Sequence, residues 1–120
     1  WVMKYEIEKL QNAKLYNLIA KIKHTSKDEG DGTGFDIQSF DIYGNKIFIE
    51  AKTTKGKQNS TFFVTRNELE RSKIEKENYY LYRLDNYSDQ TDTADLLIIQ
   101  GDLTNICEFP TTYKINLHNG

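Results

Sequence analysis

Residues 35–52 limit the possible folds more than any other stretch, because they alternate like two β-strands joined by a tight turn. The first strand is predicted over 35 to about 42 and the second over 46–52, with Tyr43-Gly44-Asn45 as the turn. Strand side chains alternate between faces. In the second strand this separates two sets, Ile47, Ile49 and Ala51 on one face and Phe48, Glu50 and Lys52 on the other.

The pairing of the two strands determines which polar residues meet. A three-residue loop at 43–45 places Asp36 opposite Lys52 and Gln38 opposite Glu50. Opposed residues share a face, so these four polar side chains are predicted to form one cluster. A slip of one residue would put the polar sets of the two strands on opposite faces, so the register is itself part of the prediction.

Two carboxylates beside a lysine suit the hydrolysis of a phosphodiester. Carboxylate oxygens bind hard divalent ions such as Mg²⁺. Such an ion polarises the phosphoryl oxygen and lowers the pKa of a bound water, while a lysine can orient that water or stabilise developing charge. Asp36, Glu50 and Lys52 are the candidates for these roles. Exposed strands also carry Asp, Glu and Lys with no catalytic role, and the pattern by itself leaves that alternative open.

An aspartate, a hairpin and a Glu-x-Lys in this order resemble the core signature of the PD-(D/E)XK nuclease superfamily. More narrowly, the chain is similar to the NO VEIN C-terminal family over most of residues 24–103. Four stretches carry the resemblance, in the family's order: GDGTGFDI at 30–37, FIEAKTT at 48–54, FFVTRNEL at 62–69 and YYLYRL at 79–84. The chain departs from the family at Ala51, where valine is usual. The Gly-Glu that usually opens the domain would fall just before Trp1, inside a truncated first helix.

The resemblance implies a Mg²⁺-dependent nuclease, with Mn²⁺ as a possible substitute metal. Asp36 and Glu50 would bind the metal with the Ala51 backbone carbonyl as a third ligand, and Lys52 would position the attacking water. Four further residues are predicted to support the site: Glu6, Gln38, Asn67 and Glu68. A restriction-endonuclease-like core, with a central mixed sheet flanked by helices, is the expected α/β (α+β) fold.

Glu6 has two interpretations. A helix is predicted over about 1–13, and Glu6 interrupts its apolar stripe of Val2, Met3, Ile7 and Leu10. It could be a boundary residue whose carboxylate reaches water. It could instead be delivered to the metal by a helix that packs behind the hairpin, as an upstream helical acid is in similar nucleases.

A basic segment follows the candidate site. Residues 46–76 hold eight bases against four acids, and Lys55, Lys57, Arg66 and Lys73 are predicted to contact a phosphate backbone. A polar loop is predicted over 53–61 and a strand over 61–65. Thr65 and Glu68 form a capping-box pattern at the start of a helix that ends near 76. Capping explains Glu68 without a catalytic role, although this helix carries polar residues to the site in related nucleases.

The rest of the chain predicts strands over 78–87, 96–100 and 113–117. We expect one nuclease-like domain over 1–120, as a fragment of a larger protein. The single Cys107 excludes an internal disulfide, and no apolar stretch is long enough for a membrane span, so a cytoplasmic location is the default.

The expected function is cleavage of DNA within a restriction or defence system, with other domains of the parent protein as partners and a homodimer as a further possibility. The net charge of −2 argues against a free-standing high-affinity nucleic-acid binder. The alternatives are a non-catalytic nuclease-fold module that docks nucleic acid or protein, and a purely structural interaction domain.

Overall fold

Helices pack around a five-stranded mixed sheet, which makes the fold α+β as predicted. The computed structural model describes residues 1–24, 34–53 and 63–105. The elements in chain order are α1 (Val2–Asn12), α2 (Tyr16–Ile19), β1 (Lys23–His24), β2 (Ile37–Phe40), β3 (Lys46–Thr53), α3 (Arg66–Glu75), β4 (Tyr79–Ser88) and β5 (Thr93–Gln100), with 3₁₀ turns at Lys76–Asn78 and Leu103–Asn105. Within these ranges no helix is long and apolar enough to cross a membrane.

The strands lie in chain order across the sheet, β1-β2-β3-β4-β5. All neighbours are antiparallel except β3 and β4, which are parallel. A parallel pair cannot be joined by a hairpin, and α3 lies in the connection between these two strands. The central strand β3 therefore pairs with the hairpin partner on one side and with β4 on the other.

The predicted register of the β2–β3 hairpin is wrong by two positions. Gln38 pairs with Phe48 and not with Glu50, and Phe40 pairs with Lys46. The loop has three residues, as predicted, but it occupies 42–44 and not 43–45, with Gly44 at φ +89°. Asp41 closes this loop, because its carboxylate accepts hydrogen bonds from the backbone N–H groups of Tyr43 and Asn45. The Asp41 side chain therefore moves the turn one residue towards the N-terminus.

The two faces of the sheet carry separate apolar cores. Alternate residues of β3 and their neighbours pack against α1, in a cluster of Val2, Ile37, Ile47, Ile49, Tyr82 and Leu84. The residues in between belong to the face that packs against α3, in a cluster of Phe35, Leu69, Tyr79, Leu81 and Leu103. We call these the α1 face and the α3 face. The two-sided burial of the sheet explains why apolar residues occur in both phases of the β4 sequence.

Most predicted element boundaries agree with the structure to within a few residues. The capping box at the start of α3 is confirmed: Thr65 Oγ1 accepts from the Glu68 backbone N–H, and Glu68 Oε1 accepts from the Thr65 backbone N–H. The strand predicted over 61–65 is wrong over 63–65, which are not in a strand. The predicted loop 53–61 (from 54) and the predicted strand 113–117 lie outside the described residues.

Glu6 contradicts both interpretations of its role. The residue is fully buried at 0% exposure, so it does not reach water. Its carboxylate accepts hydrogen bonds from the Ser39 and Tyr82 hydroxyls, both at 2.7 Å, and from the Lys9 ammonium. Ser39 and Tyr82 belong to the α1 face, so Glu6 joins α1 to the sheet on the side opposite to the other predicted acids. Its donors explain how a charged residue can occupy the buried stripe of α1.

Candidate active site

Asp36, Glu50 and Lys52 lie on the α3 face of the sheet. Glu50 and Lys52 alternate with the buried Ile49 and with Ala51 along β3. Asp36 directly precedes Ile37, which belongs to the α1 face, and so it shares the face of Glu50. The observed register differs from the predicted one by an even number of residues, and therefore the polar set stays together on one face.

Asp36 is fixed to β3 by two hydrogen bonds. Its backbone N–H donates to the Ile49 carbonyl at 2.8 Å, and its Oδ2 accepts from the Ala51 backbone N–H at 3.0 Å. These bonds bracket Glu50 in sequence, so the Asp36 carboxylate is held next to that residue. The side chain is half-buried. One carboxylate oxygen is thus anchored to the backbone of the strand that carries the other predicted ligand.

Gly34 sets the path of the chain into Asp36. Its φ is +83°, in the region that favours glycine. A Cβ at this position would lie 2.5 Å from the Asn67 carbonyl oxygen and 2.8 Å from the Arg71 Cβ, so α3 packs directly on the glycine backbone. The Tyr79 hydroxyl donates to the Gly34 carbonyl at 2.8 Å. The segment that leads to Asp36 is therefore held between α3 and β4.

Lys52 is placed by two acids. Its Nζ lies 2.7 Å from Glu68 Oε1 and 3.9 Å from Glu50 Oε2. Glu68 Oε1 is also the oxygen that accepts the capping hydrogen bond from Thr65. Glu68 therefore performs both of the roles that the sequence left as alternatives, because it caps α3 and also contacts the predicted catalytic lysine.

The electrostatics of the site centre on Glu50. Burial raises the pKa of this carboxyl to about 9, and the charges of Glu68 and Asp36 act in the same direction. Lys52 opposes them, but more weakly. The same three acids, together with burial, raise the pKa of the Tyr79 hydroxyl, which therefore stays neutral. The site carries more negative charge than it can hold unaided in a buried place, and a bound cation would relieve this excess.

The donor set fits a hard divalent ion that retains water. Two carboxylates, those of Asp36 and Glu50, lie on the same face next to the Ala51 backbone. Across 1–24, 34–53 and 63–105, no group of three or more His, Cys, Asp or Glu side chains is arranged to hold a metal. Mg²⁺ is commonly bound through one or two carboxylates and completes its octahedron with waters and substrate phosphate oxygens, so two carboxylates suffice for it.

The other predicted residues take different positions. Gln38 is half-buried opposite Phe48. The Asn67 side chain is exposed, and this residue contributes its backbone carbonyl to the contact with Gly34. Arg66 is exposed at the start of α3, and Lys73, one residue from its basic last turn, pairs with Glu70 at 3.3 Å. Lys55 and Lys57 lie outside the described residues.

The sequence analysis missed an ion pair on β4. Arg83 is the Cα partner of Lys52 in the parallel β3–β4 pair, and its Nε donates to Asp85 Oδ1 at 2.9 Å. Both residues are buried. The signal was present in the sequence, because Arg83 and Asp85 are in phase with Leu81 along an otherwise apolar strand. Only the pairing with β3 makes that phase informative.

Comparison with known proteins gives one match. The family model described as "Protein NO VEIN, C-terminal" matches residues 1–99. No curated protein and no solved structure matches the chain.

Proposed function

We propose that this chain, which belongs to the NO VEIN C-terminal family, is a metal-dependent nuclease domain that hydrolyses phosphodiester bonds of DNA in a restriction or defence system. The observation that carries the proposal is the arrangement of Asp36, Glu50 and Lys52 on one face of adjacent strands, with Asp36 bonded to the backbone next to Glu50. The order aspartate, hairpin, Glu-x-Lys supports placing the family in the PD-(D/E)XK superfamily.

Asp36 and Glu50 would hold the Mg²⁺ ion, with the Ala51 carbonyl as a further ligand. A bound ion of this kind polarises the phosphoryl oxygen and lowers the pKa of its water. Glu50 must be ionised to act as a ligand, and its pKa of about 9 means that it is protonated at neutral pH without a cation. Metal binding is therefore coupled to the release of a proton from Glu50.

Lys52 has the position of the group that orients the attacking water and stabilises developing negative charge. Its ammonium is held by Glu68 at 2.7 Å and is only partly exposed, so its orientation is constrained before the substrate arrives. Asp36 keeps one oxygen on the Ala51 N–H, which fixes the direction of the other. Such preorganisation removes part of the reorganisation that the reaction would otherwise require.

Cleavage of a supercoiled plasmid and of a short linear duplex with Mg²⁺ or Mn²⁺ tests the proposal. Asp36→Asn, Glu50→Gln and Lys52→Gln should each lower the cleavage rate by a factor on the order of 100 or more. Lys46→Gln, at an exposed position of the same strand, and Glu70→Gln, at an exposed position of α3, are the matched controls and should cleave like the wild type. Equal cleavage by Glu50→Gln and the wild type would contradict the proposal.

Mn²⁺ titration by calorimetry separates a catalytic domain from a docking module. Affinity should rise about tenfold per pH unit between pH 6 and 8, because one proton leaves Glu50 as the metal binds. Glu50→Gln should bind Mn²⁺ much more weakly and without this pH dependence. A folded wild type that binds DNA equally with and without chelator, and cleaves none, would support the docking module instead.

A further inference from the structure

Arg83 adds a second cation to the α3 face, next to Lys52. The two residues are Cα partners in neighbouring parallel strands, so their side chains leave the sheet on the same side. Their side chains are 7% and 23% exposed, which is comparable to the 10% of Glu50. Arg83 therefore belongs to the same enclosed surface as the candidate active site, displaced by one strand.

The Arg83–Asp85 pair is a poor choice for stability alone. Asp85 is 0% exposed, and its Oδ2 is buried with no hydrogen-bond partner among the residues described. Burying an ion pair carries a desolvation penalty, and well-packed apolar residues are often at least as stable in its place. Leu81 occupies the same face of the same strand two positions earlier and is fully buried. The position therefore accepts apolar side chains, and the charge needs another reason.

We propose that Arg83 is a phosphate-binding residue of the site, and that Asp85 positions its guanidinium. The inference depends on the proposed nuclease function and deepens it. The ligand is a phosphodiester of the DNA backbone, lying across β3 and β4 next to the one that Lys52 meets. A guanidinium is planar, always charged and matched in geometry to phosphate oxygens. The bond from Asp85 to Nε fixes the plane of the group and so the direction of its N–H donors.

The experiment compares two variants of the full chain. Arg83→Gln leaves Asp85 as a buried unpaired charge and is expected to destabilise the fold. Arg83→Gln/Asp85→Asn removes both charges and keeps hydrogen-bonding side chains of nearly the same size. A purely structural pair predicts that the double variant recovers every property of the wild type. The proposal predicts that it recovers the fold and not the binding of DNA.

Binding is measured with a short duplex in Ca²⁺ across a series of salt concentrations, and folding by thermal unfolding. The double variant should bind about tenfold more weakly, and the slope of log K against log salt should fall by about one, because one phosphate contact is lost. KM for cleavage should rise more than kcat falls. Lys4→Gln, an exposed cation on α1, is the control and should leave binding unchanged.

Each outcome decides the proposal. A double variant with wild-type affinity and salt slope would show that the pair is structural, and would leave the nuclease proposal standing if Lys52→Gln still loses cleavage. A wild type that neither binds nor cleaves DNA would overturn both proposals together. If the double variant does not fold, Arg83→Lys decides, because it keeps the charge pair but not the fork. It should bind about threefold more weakly than the wild type, and equal binding would overturn the proposal.

Discussion

Lys52 Nζ lies 2.7 Å from Glu68 Oε1, so the carboxylate that caps α3 also holds the lysine of the candidate site. The helix terminus and the active-site strand are thereby fixed to each other through one oxygen. Any movement of the start of α3 would move the Lys52 ammonium. This relationship suggests that the cap can be separated experimentally from the charge.

Glu68→Gln should separate these two roles. Glutamine also completes a capping box, so the free energy of unfolding should change by less than about 1 kcal/mol. The charge that orients Lys52 is lost, and the cleavage rate should fall on the order of tenfold or more. Chemical denaturation and a cleavage assay on the same preparation measure the two effects.

The control for this prediction is Glu70→Gln, an exposed residue of the same helix. It should change neither quantity. A Glu68→Gln variant that is much less stable yet cleaves at the wild-type rate would mean that Glu68 serves the helix alone.

Glu50→Gln should stabilise the metal-free protein, increasingly so with rising pH. The pKa of Glu50 is about 9 in the folded chain, against a model value of 4.5. Between these values the folded chain retains a proton that the unfolded chain has released, so this group makes the fold less stable as pH rises through the window. Glutamine is uncharged in both states and avoids the penalty. At pH 7 the gain should be about 1 to 3 kcal/mol.

Urea denaturation at pH 5, 7 and 8.5 measures this trend, with Glu77→Gln at an exposed position as the control. The advantage of Glu50→Gln should be small at pH 5. Mg²⁺ should reduce the advantage by stabilising the wild type. An advantage that does not depend on pH would indicate a packing effect rather than the titration of Glu50.

Gly34→Ala should be strongly destabilising. The positive φ makes any side chain unfavourable, and the added Cβ would collide with the Asn67 carbonyl oxygen at 2.5 Å. Backbone cannot move aside cheaply, so we expect a loss of about 2 to 4 kcal/mol. Gly101→Ala is the matched control: its φ is +107°, but its Cβ would meet nothing within 4 Å.

Only the conformational cost of about 1 kcal/mol should therefore appear at Gly101. Thermal or urea unfolding of the two variants gives the comparison. Equal losses at both positions would show that the contact between Gly34 and α3 contributes nothing to stability.

Glu6→Ala should lower stability without changing the chemistry. The Ser39 and Tyr82 hydroxyls would lose their acceptor in a buried place, and a cavity would remain, for a cost of about 3 kcal/mol or more. The cleavage rate per folded molecule should be unchanged, because Glu6 is on the α1 face. Glu8→Ala, at an exposed position of the same helix, should have little effect on either.

This prediction is checked by unfolding and by cleavage rates normalised to the folded fraction. A folded Glu6→Ala variant that has lost most of its cleavage would restore the earlier interpretation of Glu6 as an acid that serves the metal site.

The sequence by itself determined which residues share the candidate site on the hairpin. Alternation places Asp36, Glu50 and Lys52 on one face, and an error of two positions in the register leaves that face unchanged because the strand period is two. The cap at Thr65 and Glu68 was equally accessible, since all of its groups lie within one helical turn. Both features depend on short-range geometry that a local pattern encodes.

Only the tertiary structure decided the features that depend on distant parts of the chain. The register followed from the Asp41 side chain in the loop, and the donors that bury Glu6 are 33 and 76 residues away from it. Arg83 meets the active-site face because β4 lies parallel to β3 in one particular register. No local pattern encodes such pairings, since they result from how two apolar faces are covered at once.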